Sequence, residues 1–221
     1  MTALLVVCMV LLVIGVELWR KRQQLERRRV RPLPSEPMRP SVLPYGFFLA
    51  PSHSWLRFDS DGAFRLGIDD FVTEALGAVD RIELPRVGQQ LESDQPLVTL
   101  GVAGQRLSLN APAAGEVIAV NSRAVADPQT VIGDPYGLGW LVRMRPQNHG
   151  RAIRSLLVGD AARAFLKREY RRLVDVVSYA IGPQNRPCLA DGAVLERGAV
   201  TQLGPPMLNA FSQQFLGKNG A

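Results

Sequence analysis

Asp134-Pro135-Tyr136-Gly137-Leu138-Gly139-Trp140-Leu141-Val142-Arg143-Met144-Arg145-Pro146 is the stretch that decides how this chain folds. Its proline and two glycines up to Gly139 predict a turn, and the run from Trp140 to Met144 predicts a strand. Upstream, Ala63 to Ile68 and Val79 to Leu84 alternate apolar with polar residues, the period of a strand with one buried face. Leu97 to Leu100, Arg106 to Leu109 and Glu116 to Val120 add further strands. Turn signals separate them at Asp61-Gly62, Val87-Gly88, Gly101 to Gly104 and Pro112 to Gly115. Asp69 to Leu76 is expected as the one helix of this region, with Asp69 or Asp70 as its cap and Gly77 as its stop. Many short strands at close spacing predict a mainly β sandwich or barrel.

The blocks carrying these elements resemble, in order, those of the glycine cleavage H protein. His53-Ser54-Trp55-Leu56 resembles the family's His-Glu-Trp-Val opening, and Gly67-Ile68-Asp69 its Gly-Ile-Thr. Ala75-Leu76-Gly77 with Ile82-Glu83-Leu84-Pro85-Arg86-Val87-Gly88 resembles Ala-Leu-Gly and Val-Glu-Leu-Pro-x-Val-Gly. Ala111 to Asn121 resembles the turn and strand of the second half, and Asp134 to Pro146 the closing signature. The resemblance implies the barrel-sandwich hybrid fold of lipoyl domains. It also implies a lipoyl-lysine at a hairpin tip, in a Glu-Ser-Val-Lys-type motif. Ungapped alignment, backward from Ala111 or forward from Gly88, puts that position at Gly104. No lysine occurs between Lys21 and Lys167. Lipoate and biotin are held by an amide to a lysine amine, which arginine cannot replace. The expectation is a carrier scaffold without its carrier residue, and no cofactor.

No residue pattern points to catalysis or metal binding. His53 is expected to be structural or at the surface, with no evident base or nucleophile beside it. Asp69 and Asp70 read as helix-capping carboxylates, and Tyr136 and Trp140 as residues packing on the barrel. Cys8 and Cys188 have no Cys-x-x-Cys spacing, and His53 and His149 form no zinc-type pattern. Gly101 to Gly104 lacks the Gly-Lys-Ser/Thr ending of a phosphate loop.

Charge is segregated. Residues 20–31 hold seven basic residues against Glu26, residues 46–150 hold eight Arg against twelve Asp and Glu, and residues 151–221 hold ten basic against five acidic. A chain of net charge +6 with an acidic middle is not expected to offer a general nucleic-acid surface there. Residues 3–16 carry no charge, and Leu18 and Trp19 prolong the apolar run. Residues 1–19 are therefore expected as a transmembrane helix, with the basic run from Arg20 to Arg31 holding the body of the protein on the cytoplasmic side of the inner membrane. That run is also suited to anionic lipid. Residues 20–45 continue as a basic juxtamembrane segment and a Pro-rich linker.

The H-protein-like domain is expected over 46–148 and a helical C-terminal extension over 149–221. His149 to Leu157 and Asp160 to Ala180 read as helices, with Asp160 able to cap the second. Pro205 to Leu216 reads as a short helix burying Met207, Leu208, Phe211 and Phe215. Arg163, Lys167, Arg168, Arg171 and Arg172 fall mainly on one side of the long helix, a candidate partner surface. The functional expectation is a non-catalytic, membrane-tethered protein-binding or scaffold module. The alternatives are an H-protein-type carrier, opposed by the missing lysine, and a membrane-fusion-type envelope adaptor. The latter lacks the long helical hairpin and the outward orientation such adaptors need.

Overall fold

Period-2 alternation becomes two antiparallel sheets that share one core. The computed structural model describes residues 36–148, 150, 153, 156–182 and 195–217. The strands among them are β1 (Phe48–Leu49), β2 (Ser54–Phe58), β3 (Phe64–Ile68), β4 (Arg81–Glu83), β5 (Gln90–Leu91), β6 (Pro96–Val102), β7 (Gln105–Asn110), β8 (Gly115–Val120) and β9 (Val142–Pro146). One sheet runs β1-β2-β3-β9-β8-β5 and the other β4-β6-β7. Register puts like with like. Leu66 pairs with Leu56 and Val142, and Leu100 pairs with Leu107. All five are buried in the same hydrophobic cluster. A one-residue slip would turn each of these faces to water, so the alternation fixes the pairing.

The Asp134 to Pro146 stretch locks the larger sheet. Asp134 accepts the N–H groups of Gly137 (3.0 Å) and Leu138 (2.8 Å) on its carboxylate, which closes the turn. Asn121 donates from its side-chain amide to the carbonyls of Leu138 (2.8 Å) and Trp140 (2.6 Å). Its Oδ1 caps α2 (Ser122–Ala126). Trp55 donates its indole N–H to the Pro135 carbonyl at 3.1 Å, tying β2 to the same turn. With α3 (Gln129–Gly133), α2 makes two short helices that the sequence reading left out. Each has five residues, too few to show a helical period.

Helix α1 (Asp70–Leu76) follows its expected signals. Asp69 is the N-cap and accepts the Val72 N–H, and Gly77 closes the helix at φ 70°. A Cβ on Gly77 would lie 2.7 Å from Gly198 Cα, so the site needs both the left-handed backbone and the missing side chain.

The helical extension is α4 (Gly159–Ile181), α5 (Ala199–Gln202), α6 (Pro205–Phe211) and a π-helical turn at Ser212–Leu216. Met207, Leu208, Phe211 and Phe215 are buried, as their spacing predicts. They join the core of the sheets, so barrel and extension are one hydrophobic unit. Leu157, expected at a helix end, instead bridges Leu49 in antiparallel fashion; the rest of that expected helix lies largely outside the described residues. Asp160 does not cap α4. It sits in the first turn and pairs with Arg163 at 3.2 Å.

The Pro-rich segment is not all spacer. Pro37 onward belongs to the folded unit. Met38 is 2% exposed, Arg39 N–H donates to Glu74 (3.2 Å), and Val42 N–H donates to Asp70 (3.0 Å). Proline disfavours helix and central strand but leaves the segment free to dock. The expected membrane helix over 1–19 and the basic run lie outside the described residues. Among the described residues no helix is long and apolar enough to cross a membrane.

Candidate functional site

Three places could carry function: the β6–β7 hairpin tip, the basic side of α4, and a buried charge cluster around His53.

At the hairpin tip Val102 pairs with Gln105, leaving Ala103 and Gly104 as a two-residue turn. Both have positive φ, 47° and 80°, as a type I′ turn requires. Ala103 N–H donates to Asp80 Oδ2 at 2.8 Å, and Asp80 N–H donates to the Gly101 carbonyl at 2.8 Å. A Cβ built on Gly104 would meet nothing within 4 Å, so this position points into open space. The turn is open to solvent, but its residues do not fit a lipoyl group. Acylation needs a nucleophilic amine, and Val102, Ala103, Gly104 and Gln105 have none. Lys167, the one lysine among the described residues, lies on α4.

The candidate basic face divides in two. Arg163, Lys167, Arg168 and Arg171 are exposed. Arg163, Lys167 and Arg171 recur every four residues, the spacing of one helix stripe. Arg172 departs from the expectation. Its side chain is 41% exposed, its Nη1 lies 3.5 Å from Glu169, and its guanidinium sits 4.9 Å over the Phe215 ring. It belongs to the packing between α4 and the C-terminal turn.

The His53 cluster escaped the sequence reading. His53 is fully buried at φ 61°, in the left-handed region that histidine tolerates better than most side chains. Nδ1 is 2.7 Å from Asp69 Oδ2, and Nε2 faces Glu169 Oε2 at 3.7 Å. Its ring stacks on Phe71 at 4.6 Å. Burial pulls the imidazole pKa down, but the Asp69 charge and hydrogen bond, with Glu169, outweigh burial and hold it up at about 9. The neighbouring Asp70 accepts hydrogen bonds from Tyr136 Oη (3.0 Å) and Val42 N–H (3.0 Å). Burial, then the Asp69 charge, pushes the Asp70 carboxyl up to about 6. Tyr136 also packs edge-on against Phe47 at 5.3 Å, which joins the closing turn to the segment before β1. No cluster of three or more metal-ligating side chains occurs among the described residues.

Residues 48–169 match the family model of the glycine cleavage H-protein. The chain belongs to the glycine cleavage H-protein family. The match reaches into the first half of α4, so part of the expected extension lies inside the family domain. The glycine cleavage system H protein of Psychrobacter sp. (strain PRwf-1) is 38% identical over 109 residues, spanning 49% of this chain and 83% of that protein. That of Neisseria meningitidis serogroup B is 38% identical over 97 residues, spanning 44% of this chain and 76% of that protein. A crystal structure of a glycine cleavage system H protein from Mycobacterium marinum superimposes with TM-score 0.51 at 30% identity, covering 57% of this chain and 98% of that one. The H-protein fold is thus present with a C-terminal helical addition beyond residue 169.

Proposed function

We propose that this chain is a membrane-tethered, non-catalytic member of the H-protein family that binds a protein partner and carries no lipoyl group. The observation that carries this reading is the β6–β7 turn. It is open to solvent, and it presents Ala103 and Gly104 where an amine would have to be. What remains of the family's function without that amine is recognition by surface. The exposed Arg163, Lys167, Arg168 and Arg171 form the partner face, with an acidic protein surface as the complement. The uncharged residues 3–16 followed by the basic run to Arg31 support an inner-membrane anchor with the body in the cytoplasm.

The second reading is an H-protein-type carrier in glycine cleavage. It is favoured by the relatives, which are named as glycine cleavage system H proteins. Intact-mass spectrometry of the full chain, purified from its host after growth with lipoate, separates the two. The unmodified polypeptide mass is expected. A lipoyl increment on any residue would overturn the first reading in favour of the second. Orientation is tested separately, with a reporter fused after Ala221 that works only in an oxidising compartment. Silence is expected, and activity would overturn the cytoplasmic placement.

A further inference from the structure

Glu169 is a buried carboxylate on a helix whose outward face is basic, and its nearest charged neighbours explain why it is there. Asp69 stands at the N-terminus of α1, where its Oδ1 accepts the Val72 N–H at 3.0 Å and its Oδ2 faces His53 Nδ1 at 2.7 Å. Glu169 stands on α4, 3.7 Å from the other ring nitrogen and 3.5 Å from Arg172. Arg172 in turn covers Phe215 of the π-helical turn. Charges therefore alternate from barrel to extension as Asp69, His53, Glu169 and Arg172. Asp70, the remaining carboxylate nearby, is engaged with Tyr136 and Val42. Asp69 and Glu169 are each under one-tenth exposed, and His53 not at all. Two buried carboxylates beside a neutral ring would leave Glu169 facing a lone pair, with Arg172 alone among the described residues to offset two negative charges. A buried charge without its partner is strongly destabilising. With both ring nitrogens protonated the four charges cancel. The ring also lies between Phe71 of α1 and Phe165 of α4, at 4.6 Å and 5.3 Å, so the imidazole is one of the contacts between the barrel and α4.

We propose that His53 is a protonated pin that helps dock α4 on the barrel through Asp69 on one side and Glu169 on the other, so that removing its proton loosens α4 while the sheets stay folded. In the block that resembles Gly-Ile-Thr this chain has Gly67-Ile68-Asp69, a carboxylate at the cap position. A hydroxyl there could also cap α1, but only the carboxylate adds a charge for the ring. This inference does not depend on the proposed partner or on the anchor.

The sign follows from linkage. The docked state holds a proton that the released state gives up above the ordinary histidine pKa of about 6.5. Docking is therefore at full strength below about pH 6.5 and weakens as pH rises through about 9. Hydrogen exchange on the full chain in nonionic detergent, with labelling times scaled for intrinsic exchange, reads this directly. Opening of α4 should rise about tenfold per pH unit across that window, by about 100-fold or more in total, while amides of β2, β3, β8 and β9 keep their protection. Asp69→Thr keeps the cap and removes the charge, and Glu169→Gln keeps the shape; each should shrink the rise and move it to lower pH. Ring ¹⁵N shifts should report both nitrogens of His53 protonated at pH 7.5. A neutral ring there, α4 protection that is flat with pH, or barrel and helix opening together would overturn the proposal.

Discussion

Met38 donates its backbone N–H to the Leu195 carbonyl at 2.6 Å, stitching the segment before the barrel to the segment after α4. Leu195 in turn donates its N–H to Tyr170 Oη on α4 at 3.2 Å. A fragment beginning at residue 46 would lose this stitch, the buried Met38 side chain, and the N–H donors to Glu74 and Asp70. Burying a methionine is worth about 1.5–3 kcal/mol, and a hydrogen bond to a charged group about 1.5–3 kcal/mol. A fragment from residue 37 is expected to unfold at clearly higher urea than one from residue 46. Equal midpoints would mean that the segment contributes nothing to the fold.

Ala103 occupies a left-handed position that costs a residue with a Cβ about 1–2 kcal/mol. Asparagine and glycine are the residues this turn prefers. Ala103→Asn and Ala103→Gly should each raise stability, by up to about 1 kcal/mol, with the Asp80 hydrogen bond retained. A fall in the melting midpoint for both would refute the turn assignment.

Much of this was legible from the chain itself. Cap and stop signals placed α1 between Asp69 and Gly77, and helical spacing picked out the buried face of the last helix. Alternation found β3 and β4, and short apolar runs between turn signals found β6 to β9. They missed β1 and β5, which have two residues each and so no period, and β2, where Ser54, Trp55 and Leu56 are all buried and so do not alternate. The hairpin tip was found by alignment and composition, since two glycines near a strand end mark a turn. The His53 cluster was not legible. Its partners come from α1 and from α4, and only packing brings such distant residues together. The same holds for Arg172. Helical spacing put it near the basic face, but Phe215 and Glu169 draw it inward.

Gly67 pairs with Trp55 across β2 and β3, and a Cβ there would sit 2.5 Å from the indole ring. The indole cannot retreat without losing its hydrogen bond to Pro135. Gly67→Ala should destabilise the protein by about 1–3 kcal/mol through overpacking. It should also shift Trp fluorescence, because the ring leaves its site. An unchanged melting midpoint would show that the ring has room the geometry denies.

Stability should fall in two steps as pH rises. Asp70, raised from 3.8 to about 6 by burial and then by Asp69, holds a proton in the folded state that the unfolded chain releases. Its contribution is present below about pH 3.8 and lost as pH rises through 6. His53, raised to about 9, contributes below about pH 6.5 and loses that contribution as pH rises through 9. Urea titrations at pH 5, 7 and 9 should show the decline. Asp70→Asn should flatten the first step and leave the second. A decline that survives Asp70→Asn unchanged below pH 7 would remove Asp70 as its source.

The basic stripe of α4 gives the sharpest separation between a recognition surface and a packing surface. Arg163, Lys167, Arg168 and Arg171 are exposed, and the pair of Arg163 with Asp160 lies in solvent, with side chains 74% and 96% exposed. Reversing these four to Glu should change stability by about 0.5 kcal/mol or less each. Capture of an acidic partner should be lost with them, and wild-type capture should weaken with salt, since screening acts over about 8 Å at physiological ionic strength. Arg172→Glu is the contrast. It sets a like charge beside the buried Glu169 and removes the cation from the Phe215 ring, so it should destabilise by about 2 kcal/mol or more. Paired melting curves and pull-downs of these variants read both effects. If the four-residue reversal unfolds the protein as readily as Arg172→Glu, or leaves capture of the partner intact, the stripe is not the recognition face.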